Sequence, residues 1–471
     1  MSDYGLIING DKIVTEKTFA VKNPANEEVV ANCPIATKDH LNSAVKAASE
    51  AFITWSKVSD DDRAAVCGKI SSAIASHSEE LAKLLTQEQG KPLEGAGSRF
   101  ELGGAAGWAG YTSTLKLPEK IIQDDENAKI VQTRKPIGVV GSILPWNWPL
   151  MIAVWHIVPA IRAGNTVVMK PSPYTPLSSL RMAEIISACL PAGVLNCVTG
   201  EDNLGQWMTE HPDIQKIIFT GSIPTGKKVM SSSSASLKRL TLELGGNDAG
   251  IVLDDVDPAT VAPDIIQGAF LNNGQTCAAL KRLYVHDSIY DDLCKELANA
   301  ASGIPMGDGL DENNLQGPIQ NKMQYDKVVA LFEDAKEQGG RVLCGGDIPN
   351  EPGYFMPYTL VADVNDGMRI VDEEQFGPLL PIIKYSDIDD AINSANALET
   401  GLGGSVWSSD TERAAKVASQ LECGTAWVNG HGGIAPNVPF GGVKCSGIGV
   451  EFAEEGLHEY TNIQIVNVAK A

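Results

Sequence analysis

Apolar residues in the first ninety positions change from a strand-like to a helix-like spacing. Two short apolar runs, 6–8 and 13–14, flank an Asn9-Gly10 pair, which predicts a β-hairpin with a tight turn. From residue 41 the apolar residues recur every three or four positions, which is typical of amphipathic helices. The predicted helices lie at 41–52, at 66–74 after a Ser59-Asp60 capping signal, and at 81–85 before Gly90.

Short apolar runs alternate with helical stretches from residue 137 onwards. The strand-like runs are 138–144, 166–170, 194–198, 216–219 and 240–244, and a helix-like segment covers 177–190. This alternation predicts a doubly wound parallel sheet whose ligands bind at the carboxyl ends of its strands. It begins afresh after residue 245, with strand candidates at 251–253, 282–285, 341–344 and 426–429. We therefore expect two α/β domains with a boundary near the Gly245-Gly246 pair.

One uncharged segment, 136–155, has about the length of a membrane span. It contains three prolines and two glycines, which would interrupt a spanning helix repeatedly. We predict that this segment forms a buried strand followed by a loop.

The composition excludes several classes of protein. The chain has 471 residues, of which 43% are hydrophobic and 20% charged, as is typical of a folded protein with roughly two to four domains. Its net charge of −22 argues against nucleic acid and membranes as partners, because phosphate groups would be repelled. The nine cysteines are widely spaced, without a Cys-x-x-Cys pair or a zinc-like pattern, which favours a reducing compartment. With no signal-peptide pattern at the start, we expect a cytoplasmic protein without a metal.

Three polar residues occupy positions suited to catalysis. Cys277 follows a polar, glycine-containing turn, and a nucleophilic thiolate needs such surroundings. Glu243 ends an apolar strand just before two glycines, where a carboxylate can act as a general base. Asn147 lies in the pentapeptide 145–149 between two prolines, where its amide could bind an oxyanion. The plainer interpretations are an inert thiol, a residue on an exposed strand edge and an asparagine that caps its own loop.

The sequence contains no Gly-x-Gly-x-x-Gly fingerprint for a dinucleotide. Residues 221–228 come close to a P-loop, but Lys228 stands where a Ser or Thr must hold magnesium, which argues against a kinase or ATPase. A strand, a turn of small residues and a helix N-terminus remain, which can bind a pyrophosphate or be an ordinary connection. Lys170, after another strand, could reach a ribose or phosphate oxygen, or lie on the surface.

Seven motifs, in this order, resemble the signatures of the NAD(P)-dependent aldehyde dehydrogenase superfamily. They are Pro-Trp-Asn-Trp-Pro at 145–149, Lys-Pro-Ser at 170–172, Phe-Thr-Gly-Ser at 219–222, Leu-Glu-Leu-Gly-Gly-Asn at 242–247, Gly-Gln-Thr-Cys at 274–277, Glu-Gln-Phe-Gly-Pro at 374–378 and Pro-Phe-Gly-Gly-Val-Lys-Cys-Ser-Gly at 439–447. The resemblance implies an α/β, aldehyde dehydrogenase-like fold. A doubly wound cofactor-binding domain (1–119 and 137–244) would join an α/β catalytic domain (245–445) and a small β oligomerisation ribbon (120–136 and 446–471).

The resemblance also implies a reaction, the oxidation of an aldehyde to the carboxylic acid with NAD or NADP and water. Cys277 would attack the aldehyde, and the oxyanion would be held by the side chain of Asn147 and the backbone N–H of Cys277. After hydride transfer, Glu243 would activate water to hydrolyse the thioester. The physical chemistry agrees, because a sulfur nucleophile makes a good hydride donor and a carboxylate base makes water competitive.

Further residues acquire roles from the same resemblance. Lys170 and Glu374 would hold the two ribose rings, Gly221 and Ser222 the pyrophosphate, and Phe376 the nicotinamide side. The other expected cofactor contacts are Pro145, Trp146, Ser172, Pro173 and Leu244. Glu451 would help to move the proton away from Glu243.

Two positions depart from the family pattern. Pro173 replaces a glutamate that is typical of NAD-preferring members, so NADP is an alternative cofactor. His156 replaces a lysine near the catalytic glutamate, and a histidine can lose its charge near neutrality. We expect His156 to take part in the proton relay and to give a pH–rate profile unlike that of a lysine-bearing relative.

The residues that match the family's aldehyde pocket are apolar. Trp148, Met151, Trp155 and Phe440 predict an aromatic-walled site, which favours aromatic or medium aliphatic aldehydes. A semialdehyde dehydrogenase, a CoA-acylating enzyme and a catalytically silent structural member remain the alternatives. The only other partner implied is a second copy of the chain, in a homodimer or homotetramer, with the ribbon 121–135 pairing with the tail 462–468 of a neighbour.

Overall fold

Two large β-sheets covered by helices organise the chain, for which a computed structural model describes residues 4–470. Residues 1–3 and 471, the ends of the first and last predicted segments, lie outside the described residues. The strands are β1 Leu6–Ile8, β2 Asp11–Ile13, β3 Thr18–Lys22, β4 Val29–Pro34, β5 Lys120–Asp124, β6 Ala128–Pro136, β7 Val139–Ile143, β8 Thr166–Lys170, β9 Leu195–Cys197, β10 Lys216–Gly221, β11 Arg239–Leu244, β12 Asp248–Val252, β13 Leu280–His286, β14 Arg341–Cys344, β15 Thr359–Val364, β16 Leu379–Tyr385, β17 Thr400–Gly401, β18 Gly403–Trp407, β19 Thr425–Val428, β20 Val443–Lys444, β21 Gly447–Ile448 and β22 Thr461–Ala469.

The α-helices connect and cover these strands. They are α1 Lys38–Trp55, α2 Asp60–Ser76, α3 Ser78–Gln89, α4 Ser98–Thr114, α5 Pro149–Arg162, α6 Pro176–Ser187, α7 Asp202–Glu210, α8 Ile223–Ser233, α9 Pro258–Phe270, α10 Tyr290–Ala301, α11 Lys322–Glu337, α12 Arg369–Asp372, α13 Ile388–Asn396, α14 Thr411–Ala418 and α15 Ala453–His458. Short 3-10 turns cover Ser234–Ser236, Leu271–Gly274 and Asp287–Ile289. Within residues 4–470, no helix is both long and apolar enough to cross a membrane.

The first sheet has the strand order β2-β1-β9-β8-β7-β10-β11-β21, and its five central strands are parallel. The chain adds β8 and β9 on one side of β7, then crosses to add β10 and β11 on the other. The order therefore reverses between β7 and β10. In doubly wound sheets such a reversal opens a crevice at the carboxyl ends of the strands, where ligands bind. The predicted doubly wound fold is confirmed.

The second sheet has the order β14-β15-β16-β13-β12-β18-β19, and all pairs except β14–β15 are parallel. Residues 245–247 connect Leu244, the last residue of β11, with Asp248, the first of β12. The carboxyl edge of the first sheet therefore continues directly into the amino edge of the second.

A third, three-stranded sheet is formed by β22, β6 and β5. Strand β22 pairs along its full length with β6 of the same chain, from Thr461 opposite Pro136 to Ala469 opposite Ala128. The expectation that this tail pairs with the ribbon of a neighbour is therefore wrong. The alternating pattern of the tail shows that it is a strand, but period alone does not identify the partner.

Local signals explain several helix and turn boundaries. Asn9 and Gly10 have positive φ angles of 55° and 85° in the first hairpin, as a primed turn requires. Ser59 caps α2 by accepting a hydrogen bond from the backbone N–H of Asp62. Gly90, with φ 93°, ends α3 in the left-handed conformation that favours glycine.

The uncharged segment 136–155 contains more helix than we predicted. Strand β7 is present, but the predicted loop ends at Pro149, which begins the buried helix α5. Proline is tolerated in the first turn of a helix because the N–H that it lacks has no intrahelical partner there. Helix α5 carries Met151, Trp155 and His156 into the core, next to the first sheet.

Candidate active site

The carboxyl ends of β7, β8, β10 and β11 open into a cleft with a volume of about 900 Å³, here called the central cleft. It is lined by all thirteen residues expected to act in catalysis or cofactor binding: Cys277, Glu243, Asn147, Pro145, Trp146, Lys170, Ser172, Pro173, Gly221, Ser222, Leu244, Glu374 and Phe376. Residues of α7, α8 and α11 complete the wall, among them Asp202, Thr225, Lys228 and Lys327. Of these helix residues, only Lys228 was singled out from the sequence, as a departure from a P-loop.

The loop before Cys277 has an unusual backbone. Asn272, Asn273 and Gly274 have φ angles of 53°, 58° and 70° in succession. Asparagine and glycine adopt this left-handed region more readily than other residues. A Cβ on Gly274 would collide with the carbonyl oxygen of Gly377, so only glycine fits there. The polar turn seen in the sequence is therefore what folds the chain back just before the thiol.

Cys277 is half-buried and lines the central cleft. Burial raises the pKa of its thiol to about 12, the charge of Lys281 lowers this pKa, and the charge of Glu243 raises it further. The Nζ atom of Lys281 also donates to the carbonyl oxygen of Cys277, at 2.5 Å. The protein alone thus holds Cys277 as a neutral thiol, so its proton must leave before or during nucleophilic attack.

Hydrogen bonds connect Asn147 to the cysteine loop. Its Nδ2 donates to the carbonyl oxygen of Gln275, at 2.9 Å, and its own carbonyl oxygen accepts from Nδ2 of Asn272, at 2.9 Å. Within residues 4–470, neither the second N–H of the Asn147 amide nor the backbone N–H of Cys277 has an acceptor. Both groups are free to donate to an oxygen atom that becomes negatively charged next to the sulfur.

Two carboxyl groups are buried together beside the thiol. Glu243 on β11 and Glu451 are each only 4% exposed, and within the described chain the Oε1 atom of each lacks a hydrogen-bond partner. Burial raises the pKa of Glu243 well above its ordinary value, and the charge of Glu451 adds to the increase. Burial and the charge of Glu451 therefore both favour the neutral form of Glu243, and its ionised fraction grows as the pH rises.

His156 lies beneath this pair, and its side chain is fully buried. Its Nδ1 lies 3.0 Å from Oγ of Ser142, and its Nε2 lies 3.0 Å from Oγ1 of Thr220. The same Nε2 lies 3.2 Å from Oε1 of Glu451. The imidazole thus connects the second glutamate with two hydroxyl groups, which can each donate or accept a proton.

The opposite wall of the cleft suits an anionic ligand with hydroxyl groups. After β10, Ser222 caps α8 by accepting from the backbone N–H of Thr225, so a helix N-terminus faces the cleft. Lys170 is 4% exposed, and its one hydrogen bond in the described structure is a long one, 3.4 Å, to the carbonyl oxygen of Pro171. Burial lowers the pKa of Lys170 to about 8 against the influence of Asp202. A buried ammonium with so little compensation fits a ligand that supplies oxygen atoms.

Glu374 and Phe376 lie on the second-sheet side of the cleft. Glu374 forms an ion pair with Lys281, at 2.9 Å, and its Oε1 accepts from the backbone N–H of Gly246, at 3.3 Å. The ring of Phe376 meets Trp146 edge-on, with the ring centres 5.4 Å apart. Lys281 therefore connects the cysteine loop with Glu374, a role that no pattern in the sequence indicates.

The four residues expected to form the aldehyde pocket, Trp148, Met151, Trp155 and Phe440, are buried in one apolar cluster against which Cys277 packs. Two further rings, Trp108 and Phe452, join them. The ring centre of Trp155 lies 5.6 Å from Trp108 and 4.7 Å from Phe452, and Phe440 stacks on Phe452 at 5.9 Å. Trp108, Trp155, Phe440 and Phe452 are called the aromatic cluster below. Phe452 directly follows Glu451 in the sequence, and this adjacency is the one sequence feature that could have indicated that Phe452 lies near the site.

Comparisons with known proteins agree with this geometry. The model of the Aldehyde dehydrogenase family matches residues 13–466. Phenylacetaldehyde dehydrogenase of Pseudomonas fluorescens is 38% identical to this chain, over 97% of this chain and 93% of that protein. The NAD+ complex structure of an aldehyde dehydrogenase from Bacillus cereus superposes with a TM-score of 0.96, 35% identity and coverage of 99% and 96%. The crystal structure of an E. coli NADP dependent enzyme has a TM-score of 0.96 at 33% identity, with coverage of 99% and 98%.

The raised pKa of Cys277 makes its alkylation depend on pH. In the cofactor-free protein, the rate of its reaction with iodoacetamide should rise about tenfold per pH unit between about pH 7 and pH 9, because the thiolate fraction grows in that proportion below the pKa. Mass spectrometry of the peptide that contains Cys277 measures this rate, and Cys277→Ala identifies the peptide. A plateau below pH 8 would show that the thiol is already ionised.

Removing the charge of Glu451 should shift the ionisation of Glu243. In Glu451→Gln, the pKa of Glu243 falls because the neighbouring negative charge is gone, so the acidic limb of the kcat–pH profile moves to lower pH. Steady-state kinetics across the pH range measure the limb, even if the maximal rate also drops. Glu454→Gln, which removes an exposed charge on α15 nearby in sequence, is the control and should leave the limb in place. A limb that stays in place, or moves to higher pH, in Glu451→Gln would contradict the coupling.

Proposed function

The chain belongs to the aldehyde dehydrogenase family and oxidises an aldehyde to the carboxylic acid with NAD+ or NADP+, and on this premise we propose that Cys277 is the nucleophile of the reaction. The observation that carries the proposal is that Cys277, Glu243 and Asn147 all line the central cleft. A thiol, a buried carboxyl group and an amide with a free N–H are the three groups that thioester chemistry requires.

Attack by Cys277 requires the loss of its proton. Because the pKa of the thiol is raised by burial, the sulfur is not ionised in advance. Glu243 is a buried base near the thiol, and it accepts this proton when its own carboxyl group is ionised. The sulfur then bonds to the carbonyl carbon and gives a thiohemiacetal oxyanion. The amide of Asn147 and the backbone N–H of Cys277 stabilise this oxygen, since neither has another acceptor in the described structure for the proton it offers.

The cofactor supplies the hydride acceptor when bound. Lys170 and Glu374 would hold its ribose hydroxyl groups, and the helix N-terminus at Ser222 its pyrophosphate. Pro145, Trp146, Leu244 and Phe376 complete the surface against which it would lie. In this assignment residues 1–119 and 137–244 form the cofactor-binding domain, and residues 245–445 form the catalytic domain.

Glu243 completes the reaction by activating water against the thioester. Its free Oε1 can accept the proton of a water molecule, and the acid is released as the C–S bond breaks. The proton then passes to Glu451. From Glu451 it can move to His156 and on to the hydroxyl groups of Ser142 and Thr220. His156 is therefore assigned to the relay, and a pH–rate profile different from that of a lysine-bearing relative remains our prediction.

We assign aromatic or medium aliphatic aldehydes as substrates. The aromatic cluster belongs to the apolar core against which Cys277 packs, and no Arg, Lys or His replaces any of its four rings. A free carboxylate on the substrate would therefore find no counter-ion in this cluster. The phenylacetaldehyde dehydrogenase of Pseudomonas fluorescens, named for an aromatic aldehyde, is a relative consistent with this choice.

We further propose a homodimer or homotetramer in the cytoplasm. The third sheet leaves Ile121, Ile463, Ile465 and Val468 more than half exposed, and a second copy of the chain could cover them. All nine cysteines are free in the described residues, which supports a reducing compartment.

The reaction can be tested with purified protein. With phenylacetaldehyde or a medium-chain aldehyde, reduced cofactor should form without CoA, and Cys277→Ala should abolish this. Glu243→Gln should slow the burst of reduced cofactor, because the thiol loses the base that accepts its proton, and should lower kcat by about 100-fold or more, because water also attacks the thioester without a base. Cys189→Ala, which changes a partly exposed thiol beside Lys69, is the matched control. A requirement for CoA would identify an acylating enzyme, and reduced cofactor formed by Cys277→Ala would remove Cys277 from the mechanism.

Pro173 can be tested as a determinant of cofactor preference. Pro173→Glu places a carboxylate beside Lys170, where it can accept from ribose hydroxyl groups and repel a 2′-phosphate. The ratio of kcat/KM for NAD+ over NADP+ should rise by about tenfold or more. Pro173→Gln, similar in size and uncharged, is the control and should change the ratio far less. Equal effects of the two variants would show that loss of proline, rather than charge, acts at this position.

A further inference from the structure

A buried ion pair lies behind the proposed oxyanion site, between the end of α3 and helix α4. The Nζ atom of Lys91 lies 2.5 Å from Oε2 of Glu101, and the two side chains are 1% and 0% exposed. Burial lowers the pKa of Lys91 to about 8, and the charge of Glu101 opposes this. Neither residue lines the central cleft, and none of the steps described above uses them.

The second oxygen of Glu101 holds the beginning of α5. Its Oε1 accepts from the backbone N–H of Leu150, at 2.8 Å, and from that of Met151, at 3.1 Å. These N–H groups belong to the first turn of the helix and have no intrahelical acceptor. The helix has no side-chain cap at Trp148, so the carboxylate from α4 takes over that function.

Lys91 fixes the two residues just before this helix. Its Nζ donates to the carbonyl oxygen of Asn147, at 2.7 Å, and lies 3.6 Å from the centre of the Trp148 ring. The indole N–H of Trp148 in turn donates to Oγ1 of Thr276, at 3.0 Å. The ion pair thus holds the backbone from the carbonyl group of Asn147 to the first turn of α5, and Trp148 connects this segment to the residue before Cys277.

Burying two charges is costly, and an apolar pair of similar volume would often be no less stable. Here the charges carry directed hydrogen bonds to one backbone carbonyl and two backbone N–H groups, which apolar side chains cannot provide. An amide that stabilises an oxyanion must be aimed to within a fraction of an ångström to be effective. The buried ion pair is therefore better explained by the backbone geometry that its hydrogen bonds fix than by a contribution to folding stability alone.

We propose that Lys91 and Glu101 are positioning residues that aim the amide of Asn147 at the oxygen atom of the substrate. This inference rests on the proposed function, because it assigns Asn147 to the oxyanion. Lys91 acts through the carbonyl group of Asn147 and Glu101 through the first turn of α5. Neither touches the substrate or the cofactor.

A double-mutant cycle tests this proposal in the intact enzyme. The burst rate of reduced-cofactor formation is measured for the wild type, Lys91→Met, Asn147→Ala and the double variant. Lys91→Met should slow the burst by about 10- to 100-fold, as expected for a misplaced catalytic group. In the Asn147→Ala background, Lys91→Met should cost less than about twofold, because the amide it positions is already absent. Independent, multiplying losses would overturn the proposal, as would an unchanged burst in Lys91→Met.

A second variant and a second readout separate positioning from folding. Lys91→Met/Glu101→Gln leaves no unpaired buried charge, so it should fold even if Lys91→Met does not. Its burst should still be slow, whereas alkylation of Cys277 by iodoacetamide, which forms no oxyanion, should stay within about twofold of the wild type. A loss of alkylation as large as the loss of burst would indicate general collapse of the site and overturn the proposal.

Lys238→Met is the matched control for removal of a buried lysine. Lys238 is 8% exposed and donates to the carbonyl oxygens of His211 and Ile214, at 2.6 and 2.7 Å, near the start of β11. It should lower the melting temperature without slowing the burst. A slow burst in this control would show that loss of any buried lysine slows the enzyme and would count against the assignment. Absence of any reduced cofactor in the wild type, by contrast, would refute the proposed function itself.

Discussion

The short connection 245–247 is the constraint on which the arrangement of the whole molecule depends. It carries the chain from the carboxyl edge of one parallel sheet to the amino edge of the other. At Gly245 and Gly246 there is no room for a side chain. A Cβ on Gly245 would lie 2.6 Å from Oε2 of Glu374, and a Cβ on Gly246 would lie 2.8 Å from the side chain of Leu402. Ser446 and Lys281 hold the two carbonyl oxygens of these glycines. Glu243, Cys277 and Glu374 line one cleft because the carboxyl edge of the first sheet and the amino edge of the second meet at this connection.

Removal of charged groups from water gives the site its chemistry. The carboxyl group of Glu243 is buried next to a second carboxyl group, the thiol of Cys277 is half-buried, and the ammonium groups of Lys170 and Lys91 are almost completely buried. Each of these groups is moved toward its neutral form, so proton transfer between neighbours requires less energy than it would from fully charged groups in water. Where the charge must persist, as in Lys91 and Glu101, the structure supplies a close partner. The burial of charged groups therefore explains both the reactivity and the rigidity of this site.

Much of the architecture follows from the sequence, because it depends on local patterns. Strand β8, the turn at Asn9-Gly10 and the ends of α2 and α3 lie where periodicity and caps predict them. Cys277, Glu243 and Asn147 stand out because each interrupts an apolar or turn pattern with a group suited to catalysis. We predicted a loop in place of helix α5 because prolines usually interrupt helices. Pro149, however, is the first residue of α5, where proline is tolerated. Lys91 gives no signal at all, since its burial comes from Glu101 and Asn147, which are 10 and 56 residues away in the chain.

The first sheet is built from both ends of the chain, and this has a consequence for biosynthesis. Strand β1 pairs with β9, whereas β21 pairs with β11 and β22 covers β6. Since a ribosome delivers the amino-terminal part first, one edge of β11 and one edge of β6 stay unpaired until the segment with β21 and β22 is made. Glu451 arrives in that same final segment, so the relay from Glu243 is also missing from a nascent chain. A chain that is interrupted before residue 447 therefore presents the unpaired edges of β11 and β6 to chaperones and proteases, and it also lacks Glu451, the residue that we assign to the relay.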